Sequence, residues 1–189
     1  MYGRMCHMKI MNILPIAFIF LFACGATEEA PVPTKDVMQI TSPEFEHTAS
    51  IPSMYTCDGE NVNPPLEFSS VPDEATSLVL IMEDPDVPKS IREDGMWDHW
   101  VVFNIPMTVK KIEKDSVPEG VLGANTKGEN KYGGPCPPDR EHRYFFKLFA
   151  LESELDLEEG ATKAQVEEAM EGKVIEVAQL IGRYEREKN

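Results

Sequence analysis

The chain has 189 residues, 42% hydrophobic and 27% charged, enough for one globular domain with a sizeable core. Its formal net charge of −15 excludes the basic face that a nucleic-acid partner requires. An anion held by such a chain needs a local site that works against the long-range field.

The N-terminus reads as a targeting segment. Arg4 and Lys9 precede an apolar run from Ile13 to Ala23 that is shorter than the ~20 residues of a spanning helix. Residues 1–23 are therefore set apart as a signal peptide, with Met1 or Met8 as the start. The run ends in LFAC, which resembles a bacterial lipobox, with Leu21 and Ala23 in place and Cys24 as the lipidated mature N-terminus. Phe22 is bulkier than that motif prefers, so ordinary cleavage and retention as an anchor stand as alternatives. Residues 24–37 are small, acidic and proline-containing, a flexible tether, and 38–189 form the domain. The expected location is the periplasmic or extracellular side of a bacterial membrane. That compartment permits a disulfide between Cys57 and Cys136, with two free thiols as the alternative.

Along the domain, Met38 to Phe45 suggests an edge strand carrying a proline, and Ile51 to Cys57 a second short strand. CDGENVNPPLEF, Cys57 to Phe68, is a structured loop leading into a strand at Leu66 to Phe68. Ser77 to Met82, SLVLIM, is the clearest central strand, stopped by Glu83-Asp84-Pro85-Asp86-Val87-Pro88. Trp97 to Ile105 is a second, with Trp97, His99, Val101, Phe103 and Ile105 on one face by alternation. Pairing of these two strands would bring Asp84 and Asp86 to the sheet edge that holds His99. Pro106 to Tyr132 reads as loops with one or two weak strands.

Tyr132 to Tyr144, YGGPCPPDREHRY, crowds two glycines and three prolines round Cys136, a loop that holds a shape. Arg143 to Leu151 is the third strong strand, with His142, Tyr144, Phe146 and Leu148 on one face. Thr162 and Gln165 form a capping box for a helix to about Met170, and Lys173 to about Ala178 reads as a second helical stretch. Leu180 to Arg186 fits either the end of that helix or a last strand. The pattern is that of a mainly antiparallel β protein with peripheral helices. No GxGxxG, P-loop, GxSxG or HExxH is present.

His99 and His142 each open a strong strand beside aromatic residues, near Asp84 and Asp86. Three chemistries fit. The carboxylates could orient the imidazoles, leaving outward nitrogens and Tyr144 to bind an oxyanion. His99, His142 and Asp84 could hold a divalent metal for hydrolysis. Or the histidines are satisfied core residues and the aspartates cap turns.

Four segments, CDGENVNPPLEF, DPDVP, WDHW and YGGPCPP with HRY, together with the C-terminal AMEGKVIEVAQLIGRYER, resemble the phosphatidylethanolamine-binding protein family, in its bacterial and archaeal Raf kinase inhibitor-like branch. The resemblance spans about Met38 to Arg186. It implies an antiparallel β-sandwich with short C-terminal helices, a last strand at Leu180 to Arg186, and a cis Val87–Pro88 bond. It also implies a non-enzymatic cavity for phosphate-like groups, without cofactor or metal. The ligand-binding residues it implies are Asp84, Asp86, Pro88, Trp97, His99, Tyr132, Gly134, His142 and Tyr144. Imidazolium donors would make phosphate binding tighter near pH 6 than pH 8. Expected partners are a phosphate-bearing small molecule or lipid head group, and the membrane through the lipid anchor. A protein inhibitor or regulator of a kinase or protease is the alternative, as is the metal-dependent hydrolase. The sequence leaves oligomeric state open. Arg140 stands where the family usually has Gly, with solvent as its expected surroundings.

Overall fold

A computed structural model describes residues 36–187. The signal peptide, Cys24 and the tether up to residue 35 lie outside the described residues.

Two antiparallel sheets make the domain. Strands β1 (Gln39–Thr41), β2 (Leu66–Ser69), β3 (Ser77–Asp84), β4 (Trp97–Pro106), β5 (Lys111–Ile112), β6 (Val121–Leu122), β7 (His142–Leu151) and β8 (Val174–Tyr184) run in chain order, with one helix, α1 (Lys163–Met170), between the last two. The small sheet has the order β1-β2-β5 and the large one β6-β4-β3-β7-β8. SLVLIM is continuously apolar because β3 is central and covered on both faces, every residue of it buried. On one face Leu78, Leu80 and Met82 pack with Phe146, Leu148 and the small sheet's Ile40, Leu66 and Phe68. On the other, Val79 and Ile81 pack with Val101, Phe103 and the helix residues Val166 and Met170. The antiparallel sandwich expected from the sequence is the observed fold.

The capping box forms. The Thr162 hydroxyl accepts from the Gln165 amide, and the Gln165 side chain accepts from the Thr162 amide at 2.9 Å. The second helix does not form. Gly172, at φ 73°, ends the first, and the β-branched Val174, Ile175 and Val177 continue as β8, paired with β7 from Leu151 to His142. Ile51 to Cys57 is not a strand either; Pro52 removes a ladder donor, and Ser53–Tyr55 close into a 3₁₀ turn. Val87–Pro88 is trans, since no peptide bond among the described residues is cis. A trans Pro88 suffices because its carbonyl accepts from the Ile91 and Arg92 amides and turns the chain there.

Alternation on β4 fails at two bulges. Met82 pairs with Trp100 and Glu83 with Asp98, so His99 is an extra residue; Leu78 pairs with Ile105 and Leu80 with Val102, so a second extra residue falls at Phe103-Asn104. Asn104 takes φ 53° there and is pinned by two hydrogen bonds to the Leu155 backbone. Val101 and Phe103 consequently face α1, while Trp100, Val102 and Ile105 face the small sheet. His99 leaves the Val101 face and packs edge-on against Tyr144, ring centroids 5.2 Å apart.

Candidate functional site

A cavity of about 430 Å³ opens at the end of the large sheet where β3 stops and β4 begins, with the 125–138 segment as its far wall. Asp84, Trp97, His99, Tyr132 and Gly134 line it. Asp86, Pro88, His142 and Tyr144 lie outside that lining, each with a local reason.

Asp86 is turned toward β7. Its carboxylate receives both the Nε and Nη2 groups of Arg143, each at 2.8 Å, and the Arg143 amide at 3.0 Å. This fork holds the Asp86 carboxyl below its ordinary range and fastens the DPDVP turn to the sheet. Pro88 starts the turn described above. Arg140 is half exposed, with its guanidinium 3.3 Å from the Asp86 carbonyl and 3.7 Å from the Asp139 carboxylate.

His142 has no exposed surface and no outward nitrogen. Its Nδ1 is 2.7 Å from Asp84 Oδ2 and its Nε2 is 2.8 Å from Asp139 Oδ1. Asp84 Oδ1 also accepts the Asp86 amide at 2.8 Å. Burial pushes the Asp84 carboxyl up, against the opposing pull of His142 and that amide. Tyr144 is fully buried, and its hydroxyl has no hydrogen-bond partner. Burial pushes that phenol up as well.

His99 is set differently. Its Nδ1 lies 2.6 Å from the Gly133 carbonyl, so Nδ1 carries the hydrogen and Nε2 is left as an acceptor. Burial, aided by the Lys127 charge, lowers its pKa to about 4. His99 is therefore a neutral acceptor at pH 6 as at pH 8, and the imidazolium donor expected from the sequence does not arise from it.

The far wall is held rigidly. The sulfurs of Cys57 and Cys136 are bonded, and the Cys57 amide donates to the Pro135 carbonyl at 3.0 Å. The Gly134 amide donates to Asn61 Oδ1, and a Cβ on Gly134 would come within 2.6 Å of the Tyr55 carbonyl, so only glycine allows this approach. The Tyr132 hydroxyl donates to the same carbonyl at 2.7 Å. Tyr132 and Gly134 thus spend their donors on the wall itself.

Several lining residues escaped the sequence reading: Asn61, Asp98, Asn125, Lys127, Glu129 and Lys131. Asn125 Oδ1 accepts from the Lys127 and Glu129 amides and shapes their turn, with Gly128 at φ 77°. The Asn-Thr-Lys-Gly string was the available signal. The carboxylates of the lining are already matched: Asp84 by His142, Asp98 by Lys163 at 2.7 Å, Glu129 by Lys131 at 3.4 Å. Lys127 has no carboxylate within ion-pair distance among the described residues.

His99, His142 and Asp84 do not assemble as metal ligands. Both nitrogens of His142 are taken by carboxylates, and no group of three or more His, Cys, Asp or Glu among the described residues could hold an ion.

The sequence profile described as Phosphatidylethanolamine-binding protein matches residues 41–185. The chain belongs to the phosphatidylethanolamine-binding protein family. Among curated relatives, a UPF0098 protein of Chlamydia pneumoniae is 52% identical over 149 residues, covering 79% of this chain and 99% of the relative. A UPF0098 protein of Methanothermobacter thermautotrophicus is 49% identical over 155 residues, covering 79% and 99%. Among solved structures, a phosphatidylethanolamine-binding protein homolog of Chlamydia trachomatis aligns with TM-score 0.78 at 50% identity, covering 80% of this chain and 99% of that one. Escherichia coli YbcL, described as a new member of the mammalian phosphatidylethanolamine-binding protein family, aligns with TM-score 0.73 at 30% identity, covering 80% and 100%.

Proposed function

We propose that this is an exported, lipid-tethered binding protein whose cavity takes a small ligand carrying a phosphate-type anion, from a lipid head group or a free phosphorylated molecule. Family membership supports a binding protein. The observation that carries the anion is the charge balance of the lining. Each lining carboxylate has a basic partner, Lys163 being shared with Glu83 and His142 with Asp139, while Lys127 has no ion-pair partner among the described residues, so a chain of net charge −15 places an unpaired cation beside a cavity with a mostly apolar wall. His99 Nε2 adds an acceptor that favours, beyond the anion itself, a ligand with a hydrogen-bond donor such as a phosphate hydroxyl or a head-group ammonium.

The bond between Cys57 and Cys136 fits an oxidising compartment, which supports export; Cys24 then supplies the tether. Binding here proceeds without catalysis, and a cavity of about 430 Å³ is large enough for a head group rather than phosphate alone.

Calorimetric titration with inorganic phosphate and with phosphoethanolamine tests the reading. Lys127→Ala is expected to weaken both by about tenfold, the size of one charge-assisted hydrogen bond. Equal affinities in parent and variant, or no binding to the parent, would contradict it.

A further inference from the structure

Asp84, His142 and Asp139 form a continuous line from the cavity to the outside. Asp84 lines the cavity, His142 is entirely enclosed, and the Asp139 side chain is 46% exposed on the outer surface. The two links are hydrogen bonds of 2.7 and 2.8 Å, one from each ring nitrogen. A neutral imidazole has one N–H and cannot donate to two carboxylates at once. The line therefore holds one proton more than a neutral ring flanked by two carboxylates, and that proton sits either on the imidazole or on a carboxyl. Burial favours the neutral form of Asp84, while the hydrogen bond from His142 keeps Asp139 below its ordinary range and ionised.

We propose that His142 and Asp139 are positioning residues, a proton relay that discharges Asp84 at the cavity wall when an anion enters. This rests on the anion-site reading above. As the anion approaches, the N–H bond at His142 Nδ1 breaks and an O–H bond forms at Asp84 Oδ2. The imidazole becomes neutral and donates from Nε2 to Asp139. No proton is gained or lost by the group as a whole. The Asp84 carboxylate and the imidazolium are neutralised together, and the group's single net negative charge is left on the exposed Asp139 carboxylate, which water solvates. Asp139 also holds the shared proton against loss, because without it the line would carry one negative charge less to attract that proton.

Other charged groups surround this line. The 84–88 turn contributes Asp86, neutralised by the Arg143 fork from β7; the proline-rich loop contributes Arg140; β4 contributes His99, deprotonated down to about pH 4. Tyr144 flanks His142 on β7, and Tyr184 is its register partner on β8, hydrogen-bonded to Asp58. Both phenols are pushed up by burial and stay neutral. The relay is thus the hydrogen-bonded line of titratable groups here that joins the cavity to the surface.

The test follows the full-length protein, Asp139→Asn and Asp139→Glu through a pH series by two readouts. The first is the ¹⁵N signals of the His142 ring. The second is affinity for sulfate, a probe that stays a dianion throughout, so that any pH dependence belongs to the protein. In Asp139→Asn the His142 deprotonation midpoint should fall by about one pH unit, and the loss of sulfate affinity at rising pH should move down with it, with low-pH affinity retained. Asp139→Glu should restore both. An unmoved midpoint, or a moved midpoint with an unmoved sulfate profile, overturns the relay, as does a uniform loss of affinity at every pH. Absence of sulfate and phosphate binding throughout counts against the anion site alone, and the relay is then decided by the ring signals.

Discussion

Glu83 and Asp84 are consecutive acids on one strand, facing opposite sides of the large sheet, and the protein balances them by different means. Glu83 is 5% exposed and receives two lysines, Lys147 and Lys163 at 2.9 Å, the second of which also holds Asp98. Burial pushes Glu83 up, but the two lysines more than reverse it and leave it below its ordinary range. Asp84, equally buried, receives a histidine, and its carboxyl stays above its ordinary range. A lysine partner fixes the charge over the whole neutral range, whereas a histidine partner leaves it free to move. The Glu83 side ties α1 to the sheet, and the Asp84 side faces the cavity.

Breaking the fixed side has the largest expected effect. Glu83→Gln leaves Lys147 and Lys163 short of their shared acid and should cost about 3 kcal/mol of stability in denaturant unfolding. The pH profile of sulfate binding should keep its shape. A loss below about 1 kcal/mol would mean the lysines repair their pairing with Asp98 alone.

A comparable effect, confined to acid, separates His99 from both acids. Its folded pKa is about 4 against 6.5 in the unfolded chain, so only the unfolded chain takes up that proton between these values. The stability it supports is complete above pH 6.5 and is lost by about 3 kcal/mol as pH falls to 4. His99→Phe should therefore gain about 3 kcal/mol relative to the parent over the same fall in pH. Parallel stability curves for variant and parent would place the His99 proton elsewhere.

The smallest effect on stability is the most telling for the comparison. Asp84→Asn preserves shape and mimics the discharged acid, so it should cost only about 1 kcal/mol. Sulfate affinity should become independent of pH at the level the parent reaches in mild acid. A pH profile retained in this variant would assign the proton to some other group.

The sequence made the central strands legible because covering both faces of β3 requires an unbroken apolar run, and the capping pair Thr162 and Gln165 marks the helix start. The bulges of β4 were not legible: an extra residue is defined by the partner strand's register, so alternation placed His99 with Val101 on the wrong face. Lys173 to Ala178 misled because lysine, glutamate and alanine suit a helix locally, while pairing with β7 decided for a strand. For the site, the DPDVP and HRY motifs do meet at the sheet end that bears the cavity, yet did not separate residues that line it from residues packed behind the lining. Asp86 and His142 belong to the second kind. Lys127 carried no motif at all, since its lack of an ion-pair partner among the described residues is a property of assembled charges.

The most direct measurement is a crystal structure with phosphoethanolamine at saturation. The phosphate is expected inside the cavity within hydrogen-bond reach of Lys127 Nζ, with a ligand donor on His99 Nε2. A phosphate bound outside the cavity, or one that makes its contacts without Lys127, would contradict it.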